Sequence, residues 1–193
     1  FLAGHETTSN ALTWTWYLLS QHPAVREAWH AELETALGDR RPAAEDLHEL
    51  PLTDAVLREA IRLYPPAWAM GRTALVPTTT AGHPIPAGAT VVVSPWLLHH
   101  DARWFPQPAE FRPDRWPAGP DPRHAYVPFG AGPRMCIGEP FAWMEAALVL
   151  ATIGQRWSLD LVTPHRVELQ PVVTLRPRNG MPMIVKARDR RAA

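Results

Sequence analysis

Along the first twenty or so residues, apolar side chains recur at helical spacing, with Leu12, Trp16 and Leu19 on one stripe. The spacing predicts a helix from Phe1 to about Gln21, ended by Pro23, which lacks a backbone donor. The same Pro23 suits the first turn of a second helix, whose stripe Val25, Trp29, Leu33 and Leu37 runs into Gly38, a good stop. After a polar, proline-containing loop, Thr53 is predicted to cap a third helix, with Asp54 in the first turn where the dipole favours an acid. Leu57, Ile61 and Tyr64 mark the buried face of that helix, and Pro65-Pro66 stops it.

Beyond the double proline the runs shorten. Thr73 to Val76 and Ala89 to Ser94 read as strands, the second entered from the turn Pro86-Ala87-Gly88. From Trp104 to Pro133 the chain is rich in proline, glycine and aromatics without periodicity; loops of that length are usually functional or disordered, and the aromatics argue against disorder. A last strong helix is predicted from about Pro140 to Gln155, with Phe141, Met144, Leu148 and Ala151 among its apolar positions. The tail, Trp157 to Lys186, alternates extended segments with turns such as Arg178-Asn179-Gly180. There is no internal repeat. The predicted fold class is mostly α with small β-sheets at the periphery.

Composition changes this picture in two places. The 22 prolines among 193 residues are about twice the usual share of roughly 5%, which fits many broken elements and not a long regular bundle. The single cysteine excludes an intrachain disulfide and a multi-cysteine zinc site, and a lone thiol suits the reducing cytosol. Otherwise the chain is ordinary: 46% hydrophobic, long enough for a core, and balanced at 19 basic against 19 acidic residues, so nothing points to nucleic acid or an anionic membrane. No apolar run approaches the roughly 18 residues of a membrane span. Phe1 opens directly into helical sequence with no signal-peptide pattern, which predicts a chain cut inside an element.

The segment FGAGPRMCIG, residues 129–138, carries the most chemistry. Its glycines lack a Cβ and let backbone approach something flat and bulky. Such a loop can aim N–H groups at a sulfur. Arg134 adds a positive charge two residues from Cys136 and offers a fork for a carboxylate. The bland alternative is a buried structural cysteine beside a glycine-rich turn. Phosphate-loop spacings do not match.

Three further motifs are weaker alone. Glu59 and Arg62 stand at i, i+3 on a largely apolar helix, so they share a face; a buried pair there would need more partners. AGHETT, residues 3–8, puts a weak helix position at Gly4 beside an acid and hydroxyls that can bend a helix and hold water. A zinc-protease reading of HETTS fails because Ser9 stands where the second histidine belongs. His99, His100 and Asp101 look like metal ligands that nothing nearby completes, and read as loop residues.

The ten residues 129–138 resemble the haem-binding signature of cytochromes P450, Phe-Gly-x-Gly-x-Arg-x-Cys-x-Gly, at every fixed position. LREAIRLYPP resembles that family's Glu-x-x-Arg helix, FRPDRW its meander, and AGHETT its oxygen-activation segment, in family order across nearly the whole chain. The resemblance implies a haem b cofactor with Cys136 as axial iron ligand, cradled by Phe129, Gly130 and Gly138. It implies Arg134 and Arg72 on the haem propionates, one of the histidines near them, and Ala3 and Gly4 lining the dioxygen groove. Glu6 and Thr7 become the proton-delivery pair; Glu59, Arg62 and Arg115 become a structural network behind the haem; Ala67 to Ala69 and Val172 to Thr174 become pocket lining.

The expected activity is then monooxygenation of a small apolar substrate with dioxygen and two electrons from a ferredoxin or flavin reductase, in the cytoplasm. Such enzymes run to about twice this length in one domain, so residues 1–193 are expected to be the C-terminal half of it, with the N-terminal half absent. The rival expectations are a haem-thiolate enzyme of another reaction type, peroxygenase or isomerase, and a truncated non-catalytic fragment.

Overall fold

The computed structural model describes residues 2–118 and 124–188, so Phe1 lies outside the described residues. Helix α1 spans Leu2–Gln21 and α2 spans Pro23–Leu37, capped by Gly38 at φ 54°, whose N–H donates to the Glu34 carbonyl. A 3-10 turn, Ala44–Glu49, leads to α3, Pro51–Leu63.

Thr53 does not cap α3. The helix starts earlier, because Pro51 supplies a ready first turn. Its first free amides, on Leu52 and Thr53, donate at 2.5 and 2.9 Å to the carboxylate of Glu32, a residue of α2. The buried Thr53 hydroxyl instead donates to Glu32 and accepts from the Trp29 indole.

Short antiparallel pairs follow. β1, Met70–Thr73, pairs with β4, Thr90–Val93, in the register Arg72 to Val91, around a hairpin of β2, Thr78–Thr80, and β3, His83–Ile85. The first predicted strand therefore lies three residues earlier than its sequence pattern suggested. Helix α4, Pro95–His99, precedes the proline-rich stretch, and a short helix α5, Arg115–Ala118, lies within it. Helix α6, Glu139–Gly154, is followed by β5, Trp157–Leu161, β6, Leu169–Pro171, β7, Leu175–Pro177, and β8, Met183–Ala187, joined as β5–β8 and β6–β7. Mostly helical with four two-stranded sheets among the described residues, the architecture has the predicted class.

The core is helical. Trp16, Leu19, Trp29, Leu33, Val56, Leu57, Ala147, Leu150 and Ala151 bury one another where α1, α2, α3 and α6 meet. Packing against Trp29 decides which face of α6 turns inward. A Cβ on Gly154 would stand 2.1 Å from the Trp29 ring, so only glycine fits. The buried side of α6 is accordingly Ala146, Ala147, Leu150, Ala151 and Gly154, mostly small residues, while Phe141, one of the apolar positions read from the sequence, is exposed.

Candidate functional site

The cysteine loop is shaped by its glycines and closed by its own backbone. Gly130 and Gly132 both take positive φ, 78° and 70°, a conformation side chains resist. The Cys136 amide donates to the Phe129 carbonyl at 2.9 Å and the Met135 amide to Gly132 at 3.0 Å. Cys136 is exposed, and α6 begins three residues later, which sets the positive end of that helix beside the sulfur. A Cβ on Gly138 would come within 3.8 Å of the Cys136 sulfur, and one on Gly130 within 3.4 Å of the Met70 sulfur. Phe129 packs edge-on against Trp143 of α6, with ring centroids 5.4 Å apart.

Around the sulfur the surface is apolar and cationic. Met135, Ile137 and Phe141 are all more than half exposed. Arg134 has no hydrogen-bond or acid partner among the described residues, and Arg72 donates only to the neighbouring Gly71 carbonyl. No group of three His, Cys, Asp or Glu gathers anywhere among the described residues. A bare metal ion would thus find one soft ligand at Cys136. A metal carrying its own planar ligands, with carboxylates for the two arginines, fits this donor set, and haem is such a group. Recesses of about 540 and 210 Å³ lie elsewhere, one lined by Tyr17, His22 and Phe111, the other by Leu50 and Trp143; neither is lined by Cys136.

Behind the loop lies a closed polar lattice. Arg62 and Glu59, both with no exposed surface, form a two-pronged pair at 2.8 and 2.9 Å. The remaining Arg62 donors reach the carbonyls of His99, Pro108 and Glu110. Glu59 in turn accepts from the Arg112 amide, the Arg115 guanidinium and the Trp116 indole at 2.9–3.0 Å. Every prong of this buried pair is satisfied, the condition under which such a pair is tolerated.

His99 was expected in a loop and is instead the buried last residue of α4. Its carbonyl accepts from Arg62, and its imidazole Nε2 accepts from the Val127 amide at 3.1 Å. One residue therefore ties the lattice to the strand of chain entering the cysteine loop. Burial pushes its imidazole down to about 3, which keeps the ring neutral and Nε2 free to accept. His100 sits on the other side, its ring stacked on Trp96. Neither histidine holds a metal-like cluster.

In α1 the Thr7 hydroxyl donates to the Ala3 carbonyl at 2.7 Å and Thr8 to Gly4 at 3.3 Å. These bonds draw on helix carbonyls one turn back. Beside Gly4 there is open space, since a Cβ there would meet nothing within 4 Å. Glu6 accepts at 2.7 Å from Thr174, in the turn between β6 and β7. Among the described residues no hydrogen bond joins Glu6 or Thr7 to the cysteine loop. The sequence reading missed Trp116, Glu32 and the Thr174 contact; only the i, i+4 spacing of Glu6 and Asn10 hinted at the last.

Comparison with known proteins bears on this arrangement. The sequence profile of the cytochrome P450 family matches residues 1–183. The chain is 44% identical over 189 residues to cytochrome P450 132 of Mycobacterium tuberculosis, covering 97% of this chain and 41% of that protein. It is 42% identical over 177 residues to cyclooctatin synthase of Streptomyces melanosporofaciens, covering 90% and 39%. It is 38% identical over 180 residues to pentalenene oxygenase of Streptomyces avermitilis, covering 91% and 38%. The chain thus spans about two fifths of the length of these relatives.

Proposed function

The chain belongs to the cytochrome P450 family, and from that premise we propose that it forms the C-terminal part of a haem-thiolate monooxygenase acting on a small apolar substrate. The observation that carries the proposal is Cys136: an exposed sulfur on a loop closed by its own amides, two residues from an Arg134 that has no acid partner among the described residues. The chain covers 41% of the Mycobacterium tuberculosis relative, which fits its being part of a longer domain, and the order of its motifs supports reading residues 1–193 as the C-terminal half.

Haem b, when bound, supplies the oxidising chemistry, and a thiolate ligand favours O–O cleavage by donating charge to the iron. The chain's own residues hold and protect that group. Cys136 would bind the iron, with Phe129, Gly130 and Gly138 shaping the loop around it, Gly138 leaving the sulfur free of a neighbouring Cβ. Arg134 and Arg72 would offer charge-assisted forks to the carboxylates of the haem. Ala3 and Gly4 leave room on α1 for dioxygen, and Glu6 with Thr7 moves protons through ordered water at the Glu6 Oε and Thr7 Oγ atoms. Val172 and Val173, both exposed in this chain, and the stretch Ala67 to Ala69 offer the apolar substrate contact. Glu59, Arg62 and Arg115 hold the frame and touch nothing that reacts.

Two electrons come from a ferredoxin or flavin reductase. Cytoplasmic residence is part of the same proposal; among the described residues no helix is long and apolar enough to cross a membrane.

The decisive measurement is the absorption spectrum of the reduced, carbon-monoxide-bound full-length protein. A thiolate-type, red-shifted Soret band is expected, lost in Cys136→Ser together with oxygenation. An unaltered band and undiminished turnover in that variant would overturn the ligand assignment.

A further inference from the structure

On one face of α1, residues at i, i+4 and i+8 all reach the same turn. Glu6 accepts from the Thr174 hydroxyl at 2.7 Å, Asn10 Nδ2 donates to that hydroxyl at 3.1 Å, and the buried Trp14 indole donates to the Leu175 carbonyl at 3.0 Å. The turn is held from its other side too: the Leu175 amide donates to Pro66 at 2.9 Å and the Trp68 indole to Val172 at 2.9 Å. Thr174 itself is buried, whereas its neighbours Val172 and Val173 are exposed.

A hydroxyl has one proton to give and two lone pairs to receive with. Because Asn10 fills an acceptor site of Thr174, the single Thr174 proton is directed to Glu6. The Glu6 carboxylate is thereby fixed by a residue 168 positions away in sequence, on the turn proposed to meet substrate. We infer that Thr174 is a positioning residue for the acid Glu6, oriented by Asn10, so that the substrate-facing turn and the proton-delivery segment are set by one hydrogen-bond chain. This rests on the reading of Glu6 as a proton carrier.

The test compares Glu6→Gln, Thr174→Val and Thr174→Ser in the full-length, haem-loaded protein. It measures how reducing equivalents divide between product and hydrogen peroxide, with KM for substrate. Thr174→Val is expected to raise the peroxide share about tenfold relative to product, the order of one lost charge-assisted hydrogen bond, with KM unchanged within about twofold. Thr174→Ser restores the original partition, and Thr174→Val adds nothing once Glu6→Gln is present. A second readout needs no turnover: denaturant unfolding of Glu6→Ala, Thr174→Val and the pair should be non-additive.

If Glu6→Gln disturbs the partition while Thr174→Val leaves it unchanged, the positioning role falls and the acid role stands. If Glu6→Gln leaves the partition unchanged, the acid role fails and takes the positioning role with it. Additive unfolding energies would also overturn the inference, because the two side chains would then not be bonded.

Discussion

Two regions joined through His99 are built on opposite terms. In the lattice around Glu59 and Arg62, each charge is buried and each prong meets a partner within the chain. At the Cys136 face, a sulfur, a guanidinium and three apolar side chains stand exposed without such partners. The difference teaches where each region's energy comes from. The lattice is satisfied within the chain; the face is left open, and it is the surface proposed to hold haem. His99 joins the two, so the open face inherits its geometry from the closed one.

The comparison breaks first at Glu59. Glu59→Gln leaves Arg62 buried with its charge uncompensated and should destabilise the folded protein by about 3–5 kcal/mol, read by denaturant unfolding. A loss below about 1 kcal/mol would mean that the lattice is dispensable.

A pH titration sharpens the link between the regions. Burial holds His99 at about 3 and His30 at about 4, against an unfolded value of 6.5. Between pH 6.5 and 4 the unfolded chain therefore takes up protons that the native state refuses, so stability is full above pH 6.5 and falls as the solution is acidified. For His99 the slope approaches about 1.4 kcal/mol per pH unit. Unfolding measured across this range should steepen accordingly, and His99→Gln should remove its share of the slope. An unchanged slope would show that the imidazole is not held neutral.

The smallest effect on stability is expected at the open face. Arg134→Gln should change unfolding by no more than about 0.5 kcal/mol, yet weaken haem retention by about tenfold, the order of one charge-assisted bond. Apo-protein unfolding and haem transfer to a scavenger protein separate the two. A large stability loss with normal haem retention would reverse the proposed division of labour.

Much of the frame was legible because it follows from local rules. The Trp29, Leu33, Leu37 stripe ending at Gly38 is a helix and its cap as written in sequence, and the i, i+3 spacing of Glu59 and Arg62 puts them on one face. What escaped depended on distant partners. Thr53 reads as a cap until Glu32 arrives from another helix to take that place. The apolar positions of α6 do not by themselves say which face is buried; the Trp29 ring, which excludes any side chain at residue 154, selects it and leaves Phe141 exposed. His99 looked like loop because nothing local reveals that its ring will receive the Val127 amide. The residues proposed to hold haem rest on motif resemblance alone, since an exposed sulfur has no periodicity to betray it.

The carboxylate of Glu32 carries one more consequence. By closing the start of α3 from α2, it ties one end of a helix to the docking of its neighbour. The helix that presents Glu59 and Arg62 is thus completed by a side chain of another element, so local structure and tertiary contact stabilise each other.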